Sequence, residues 1–286
     1  MSGGISPSPS QPEKTLAGTI VTHSLSEAPV VPRSEETSQP TIVTKRPWVI
    51  AHRGASRVAP ENTLAAWRVA AGFGVDMIEC DVRLSSDRVP VLMHDATLLR
   101  TTGHPGRVSD FTVAELQQMD VGSWFDPSFS EERIPTLRQA LESIDPLRRV
   151  IIELKDPGCE IEVLDAIRQS GVNPTRIVIF SLYEQSLQSL LSMEPSLGAA
   201  WLVEEFCRSE RSWKNALRGL LRINVSALAL PVSLASSRLI NMAHRFGLVV
   251  YVWTVNNSTQ VEALITDGVE GIISDIPDMV QGICNQ

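Results

Sequence analysis

From Pro47 onward, short apolar runs alternate with stretches whose apolar residues recur every three or four positions, a pattern that predicts strands separated by helices. The runs place strands at Trp48–His52, Val75–Val82, Val150–Leu154, Ile177–Ser181, Gly198–Val203, Ala227–Leu230, Val249–Thr254 and Gly271–Ser274. Helical periodicity covers Thr136–Ile144, Glu160–Gln169, Tyr183–Met193, Ser212–Leu221, Leu234–Phe246 and Thr259–Thr266. A first helix starts near Asn62 or Thr63, both capping types, after Pro60, and stops at Gly74. Gly171, Gly247 and Gly268 stand where helix C-caps are expected. Eight such units are the count that closes a parallel α/β barrel. An open doubly wound sheet fits less well, because no glycine-rich nucleotide loop follows the first strand.

One further strand-like run, Pro90–His94, breaks the alternation. Only the polar turn Ser85-Ser86-Asp87-Arg88 separates it from the second strand, too little chain for a parallel crossover, so the two runs must be antiparallel. A hairpin roughly symmetric about Ser86 and Asp87 lays His94 opposite Glu79 and delivers it beside the carboxylates. Ala96 to Arg133, with Phe111, Trp124, Phe125 and Phe129, then continues as an insertion over the barrel mouth, the whole excursion running from about 85 to 133. Residues 1–46 are rich in Ser, Pro, Thr and Glu and cannot bury enough apolar surface to offset the entropy of ordering, so they read as a flexible, disordered tail. A short strand at Thr41–Thr44 is the only ordered piece expected there, and the barrel domain occupies 47–286.

Composition narrows the partners. With 43% hydrophobic residues the chain can build a substantial core, and its net charge of −8 argues against nucleic acid or an anionic membrane as the main partner. A local cluster of metal, Arg and Lys can still outweigh that field for a small anionic substrate. Cys80, Cys159, Cys207 and Cys284 lack the close pairing of a zinc site or disulfide scaffold and read as free thiols. The start of the chain lacks the features of a signal peptide, and no uncharged apolar run is long enough to span a bilayer. A soluble, cytoplasmic protein is expected.

The candidate chemistry gathers at strand ends: His52-Arg53, Glu79-Cys80-Asp81, His94-Asp95 and Glu153-Leu154-Lys155. Residues i and i+2 of a strand share a face, so Glu79 pairs with Asp81 and Glu153 with Lys155, while Cys80 faces the surrounding helices. At the C-terminal rim of a barrel these side chains converge with His52. Three carboxylates, Glu79, Asp81 and Glu153, suit a hard divalent cation, Mg²⁺ or Ca²⁺, better than zinc. The competing explanation for Glu79 and Asp81 is a structural acid pair neutralised by Arg83 or Arg88, and for Glu153 and Lys155 a plain salt bridge. His52 and His94 can act as general base and general acid, with the position of His94 beneath the insertion favouring it as the acid. His23, His104 and His244 are set aside. Arg53 offers a forked donor for phosphate oxygens, and Trp253 is either an aromatic wall of the site or ordinary barrel packing. Together these groups suggest metal-assisted phosphoryl transfer.

The stretches His52-Arg53-Gly54, Pro60-Glu61-Asn62-Thr63, Glu79-Cys80-Asp81-Val82, Val91-Leu92-Met93-His94-Asp95, Glu153-Leu154-Lys155, Val252-Trp253-Thr254-Val255-Asn256 and Gly271-Ile272-Ile273-Ser274-Asp275 resemble, in order, the glycerophosphodiester phosphodiesterase family. The resemblance implies a TIM (β/α)8 barrel with Glu79, Asp81 and Glu153 holding the metal. It makes His52 and His94 the acid/base pair and has Arg53 and Lys155 contact phosphate. It further implies cleavage of a small glycerophosphodiester to glycerol 3-phosphate and an alcohol, a glycerol hydroxyl attacking first and water opening the cyclic phosphate. Arg88 departs from the family's usual Gly in the hairpin turn. Two other readings compete. A lysophospholipase D-type or phospholipase D-like lyase activity on the same barrel would need an apolar groove, which the insertion aromatics could supply. A binding module that has lost the chemistry is disfavoured by the intact constellation.

Overall fold

The computed structural model describes residues 46–145, 148–204 and 209–285. Its strands are β1 (Trp48–Ala51), β2 (Met77–Leu84), β3 (Pro90–Leu92), β4 (Arg149–Leu154), β5 (Ile177–Ser181), β6 (Gly198–Leu202), β7 (Ala227–Pro231), β8 (Val249–Trp253) and β9 (Gly271–Ser274). Eight of them form a ring in the order β1-β9-β8-β7-β6-β5-β4-β2, all neighbours parallel, and the β1–β2 pairing closes it. This is the TIM barrel expected from the alternating pattern. The proposed tail and its strand at Thr41–Thr44 lie outside the described residues, except Arg46, whose guanidinium grips both carboxylate oxygens of Asp76 at 2.7 and 2.9 Å.

The period of two sorts each strand into two layers. Ile50, Met77, Ile151, Val178, Phe180, Ala200, Ala229, Tyr251 and Ile273 point inward and fill the barrel, while Val49, Ile78, Cys80, Val150, Ile152 and Leu228 point outward under the helices. Cys80 thus faces the helices, as its place between Glu79 and Asp81 requires. Cys80, Cys159 and Cys284 are free thiols; Cys207 lies outside the described residues.

The helices are α1 (Leu64–Gly72), α2 (Leu99–Thr102), α3 (Val113–Leu116), α4 (Leu137–Glu142), α5 (Glu160–Ser170), α6 (Glu184–Met193), α7 (Glu210–Arg222), α8 (Ser237–Arg245), α9 (Ser258–Asp267) and α10 (Pro277–Cys284). Side-chain caps set several starts: the hydroxyls of Thr63, Thr136, Ser209 and Ser236 accept from backbone N–H groups of the first turn. Ser209 starts α7 two residues before the apolar pattern alone suggests. Ser236 starts α8 later, because tight turns from Pro231 to Ser236 come first.

β3 lies outside the ring, antiparallel on the end of β2. The hairpin register corrects the sequence expectation by one residue. Val82 faces Leu92 and Met93 N donates to Asp81 O at 3.0 Å, so the symmetry centre is Asp87, and His94 falls level with Cys80 rather than Glu79. The cause is the turn. Arg88 takes a left-handed backbone (φ 60°), and Ser85 and Val89 close around three residues instead of two. Arg88 is secured there by bonds from its guanidinium to Glu162 at 2.6 Å and to Gly158 O at 2.8 Å. After β3 the insertion packs a small core of its own, with Val91, Met93, Leu98, Val108, Leu116, Met119, Val121 and Ile134 buried together and Phe111 against them.

The turn after β1 carries His52-Arg53-Gly54 and is clamped onto α1: Ala55 N donates to Ala66 O at 3.0 Å. Gly54 has φ 84°, and a Cβ there would sit 2.7 Å from both the carbonyl carbon and the Cβ of Ala66. Left-handed geometry and lack of space both demand glycine. Gly54→Ala should therefore lower unfolding free energy by about 2–3 kcal/mol in urea titrations, with loss of activity; a change below about 0.5 kcal/mol would show that the clamp yields easily.

Candidate active site

Three carboxylates meet inside the C-terminal mouth. In the parallel ladder Asp81 of β2 is the partner of Glu153 of β4, and Glu79 sits one inward position below Asp81. Among the described residues, Glu79, Asp81 and Glu153 each offer an oxygen, and these oxygens lie within 4.8 Å of one another. Glu79 and Asp81 are buried. Neither structural neutraliser considered from sequence reaches them: Arg83 turns to Asp156 at 2.6 Å and to His94 O at 3.0 Å, and Arg88 goes to Glu162.

Two other cations do reach them. Lys155 Nζ lies 2.9 Å from Asp81 Oδ1 and also contacts Glu153. Arg53 Nε lies 3.2 Å from Asp81 Oδ2, and the Arg53 backbone N–H donates to Glu79 Oε2 at 2.8 Å. Asn62 holds Asp81 from both ends, donating to Oδ2 at 2.8 Å and accepting from its backbone N–H at 3.1 Å. Arg53 and Asn62 both have left-handed backbones (φ 55° and 57°), and Asn62 N donates to Arg53 O at 3.0 Å. Such conformations cost about 1–3 kcal/mol for non-glycine residues, and both residues use them to touch the carboxylates.

The cluster remains short of positive charge. Burial, with Asp81 and Glu153 nearby, pushes Glu79 well above the usual carboxylate range. Burial and Asp81 push Glu153 up to about 7. Burial also acts on Asp81, but Lys155 and Arg53 override it and hold that carboxyl well below its ordinary value. Glu79 Oε1 is buried without a hydrogen-bond partner, a costly arrangement that a cation would relieve. Oxygen-only donors, an orphaned carboxylate oxygen and a separation suited to a shared ion fit a hard divalent cation.

Each histidine expected from sequence is at the mouth, and each has an acidic partner that sequence reasoning assigned no role. His52 Nδ1 lies 2.6 Å from Asp275 Oδ1, and Asp275 also accepts from Ser56 at 3.1 Å and from Asn256 at 2.6 Å. Burial pushes Asp275 up, but His52 and Asn256 hold it at about 2. This pairing follows from the ring: Ala51 of β1 faces Ser274 of β9, so the next residue on each strand lies beside the other. His94 Nδ1 lies 2.7 Å from Asp95 Oδ1. The Arg100 guanidinium, with His94, holds Asp95 at about 2. Burial lowers His94, keeping its imidazole neutral near neutral pH. In both pairs Nδ1 is engaged, which leaves Nε2 for proton transfer.

Trp253 ends β8 and packs on the barrel-filling cluster, its indole N–H buried without a partner. The insertion aromatics pack in separate places. Phe111 packs in the insertion core, Phe129 against Ala59, Ala65 and Ala66, and Phe125 edge-on to Phe129, leaving Trp124 as the exposed ring of the four. His104 is exposed, and His244 pairs with Glu270 at 3.2 Å. No helix among the described residues is long and apolar enough to cross a membrane.

Residues 52–279 match the model of the glycerophosphoryl diester phosphodiesterase family. The chain is 38% identical over 239 residues to YhdW of Bacillus subtilis, covering 82% of this chain and 96% of that one. It is 37% identical over 238 residues to a glycerophosphodiester phosphodiesterase of Caldanaerobacter subterraneus subsp. tengcongensis, covering 80% and 94%. A phosphodiesterase of Oleispira antarctica in complex with the product sn-glycerol-3-phosphate superposes with a TM-score of 0.76 at 29% identity, covering 84% and 98%. Barrel, mouth and sequence agree: the chain is an enzyme belonging to the glycerophosphoryl diester phosphodiesterase family.

Proposed function

We propose that the protein hydrolyses glycerophosphodiesters to glycerol 3-phosphate and an alcohol, with Glu79, Asp81 and Glu153 holding Mg²⁺ or Ca²⁺ and Arg53 and Lys155 taking the phosphate oxygens. Trp253 walls the mouth. The observation that carries this reading is the pair of His–Asp couples beside a buried carboxylate triad with an orphaned oxygen. The product bound to the Oleispira antarctica relative supports the same substrate class.

When bound, the cation supplies positive charge to a phosphoryl oxygen. The proton work belongs to the imidazoles. We assign His94 as the first base, because burial keeps it neutral, which reverses the sequence expectation for the two roles. His94 Nε2 takes the proton of the glycerol hydroxyl next to the phosphate as that oxygen attacks phosphorus. The bond to the departing alcohol breaks, and His52, held through Nδ1 by Asp275, gives that oxygen a proton. In the second half, His52 takes a proton from the entering water, the cyclic phosphate opens, and His94 returns its proton to the glycerol oxygen. Both imidazoles end as they began. Arg53, fixed by Glu79 and Glu61, presents a planar fork to the anionic phosphate.

Metal and pH should be linked through stability. Glu79 and Glu153 have folded-state pKa values raised above their unfolded ones. Their contribution favours folding at low pH and is lost as pH rises through the folded-state values, about 7 for Glu153. A bound divalent cation opposes that loss, so saturating Ca²⁺ or Mg²⁺ should raise Tm more at pH 8 than at pH 5, and chelation should abolish turnover. A pH-independent gain, or full activity after exhaustive chelation, would contradict the metal assignment.

His52→Ala and His94→Ala should each lower kcat on glycerophosphocholine by about 10²–10⁴ with the fold intact. A nitrophenyl ester that keeps the glycerol hydroxyl needs little leaving-group protonation, so it should rescue His52→Ala and not His94→Ala. Near wild-type kcat for either variant on the natural substrate refutes the pair, and rescue of His94→Ala alone reverses the roles.

A further inference from the structure

Arg100 belongs to the short helix α2 of the insertion, yet its guanidinium is committed wholly to the mouth. Nε donates to Asp95 Oδ2 at 2.7 Å, Nη1 to Glu61 Oε2 at 2.7 Å, and Nη2 to Glu61 Oε1 at 2.8 Å and Asp95 Oδ1 at 3.2 Å. One planar fork thus bridges two carboxylates that would otherwise repel each other. Each carboxylate has a second task. Asp95 meets His94 Nδ1 at 2.7 Å, and Glu61 Oε1 accepts from Arg53 Nη1 at 2.8 Å. The exposed ring of Trp124 lies over the guanidinium, 5.8 Å from its carbon to the ring centroid.

We propose that Arg100 is a positioning residue which, through Asp95 and Glu61, sets the imidazole of His94 and the guanidinium of Arg53 from a single point on the insertion. The role rests on the reading of His94 as a proton carrier and Arg53 as a phosphate contact. Without Arg100, Asp95 loses two bonds and Glu61 loses two, so both partners swing more freely and the two groups lose their common reference. A lysine supplies one point charge and cannot span both carboxylates with a fixed fork. The insertion then has a function beyond covering the mouth: it carries the part that aligns proton transfer with phosphate binding.

The test is a pair of double-mutant cycles on glycerophosphocholine hydrolysis, with melting curves for every variant. Arg100→Ala should lower kcat/KM by about 10–100-fold, the range for losing an outer group that orients a catalytic ligand, with kcat falling and KM rising together. In that background Asp95→Asn and Glu61→Gln should cost far less than in wild type, because the groups they would misplace are already free. Arg100→Lys keeps a charge and the stem, so it keeps the fold, and should recover only a minor part of the loss. Three results overturn the proposal: kcat/KM of Arg100→Ala within about twofold of wild type, losses that multiply independently in both cycles within about twofold, or Arg100→Lys at wild-type rate. His94→Ala run alongside separates the two layers. If it stays fully active the mechanism beneath has failed, whereas an inactive His94→Ala with independent Arg100 losses removes the positioning role alone.

Discussion

Everything at the mouth depends on burying Glu79, Asp81 and Glu153 together. Like charges a few ångströms apart in a poorly solvated site repel strongly, and the structure offsets them with two cations, Lys155 and Arg53, placed on Asp81. Three negative charges against two leave the inner cluster one charge short. The shortfall has local marks: Glu79 carries an orphaned oxygen, and Glu79 and Glu153 hold their protons more tightly than exposed carboxylates do. A divalent cation converts that deficit into an excess of one positive charge, which matches a phosphodiester monoanion.

The barrel supplies what this arrangement needs. Inward positions on β2 and β4 change from apolar to acidic at the top of the strands, Met77 giving way to Glu79 and Asp81, and Ile151 to Glu153. The apolar layers beneath exclude water from below, so the cluster is solvated from the mouth alone. Each imidazole comes from a different local device. Closure of the ring brings His52 to Asp275, and a three-residue hairpin turn outside the ring brings His94 in with Asp95 beside it. Rigid strands hold the carboxylates, and the turn and insertion adjust the groups around them.

Much of this was legible in the sequence, for physical reasons. Apolar runs ending in Glu, Asp, His or Lys mark strands whose last inward residues face an open mouth, and the period of two says which of them share it. Asp275 could have been found by the same logic, since its strand must neighbour the first for the ring to close. The hairpin register was off by one residue because a left-handed Arg88 lengthened the turn, and positive φ at a non-glycine residue has no pattern signature. Helix starts shifted by two or three residues where Ser209 and Ser236, rather than the apolar pattern, fix the first turn. Arg100 gave no signal at all. Its role exists through Asp95 and Glu61, which lie at different distances along the chain and meet only when the insertion folds back over the mouth.

The central claim is that three carboxylates hold a divalent cation between two His–Asp couples. A crystal structure with Ca²⁺ and glycerol 3-phosphate tests it most directly. The account predicts the ion ligated by Glu79, Asp81 and Glu153 at about 2.3–2.6 Å, phosphate oxygens on the ion, Arg53 and Lys155, and both Nε2 atoms within hydrogen-bond reach of oxygens at the phosphate. An ion bound elsewhere with the triad still closed on Lys155, or a phosphate out of reach of both imidazoles, would contradict it.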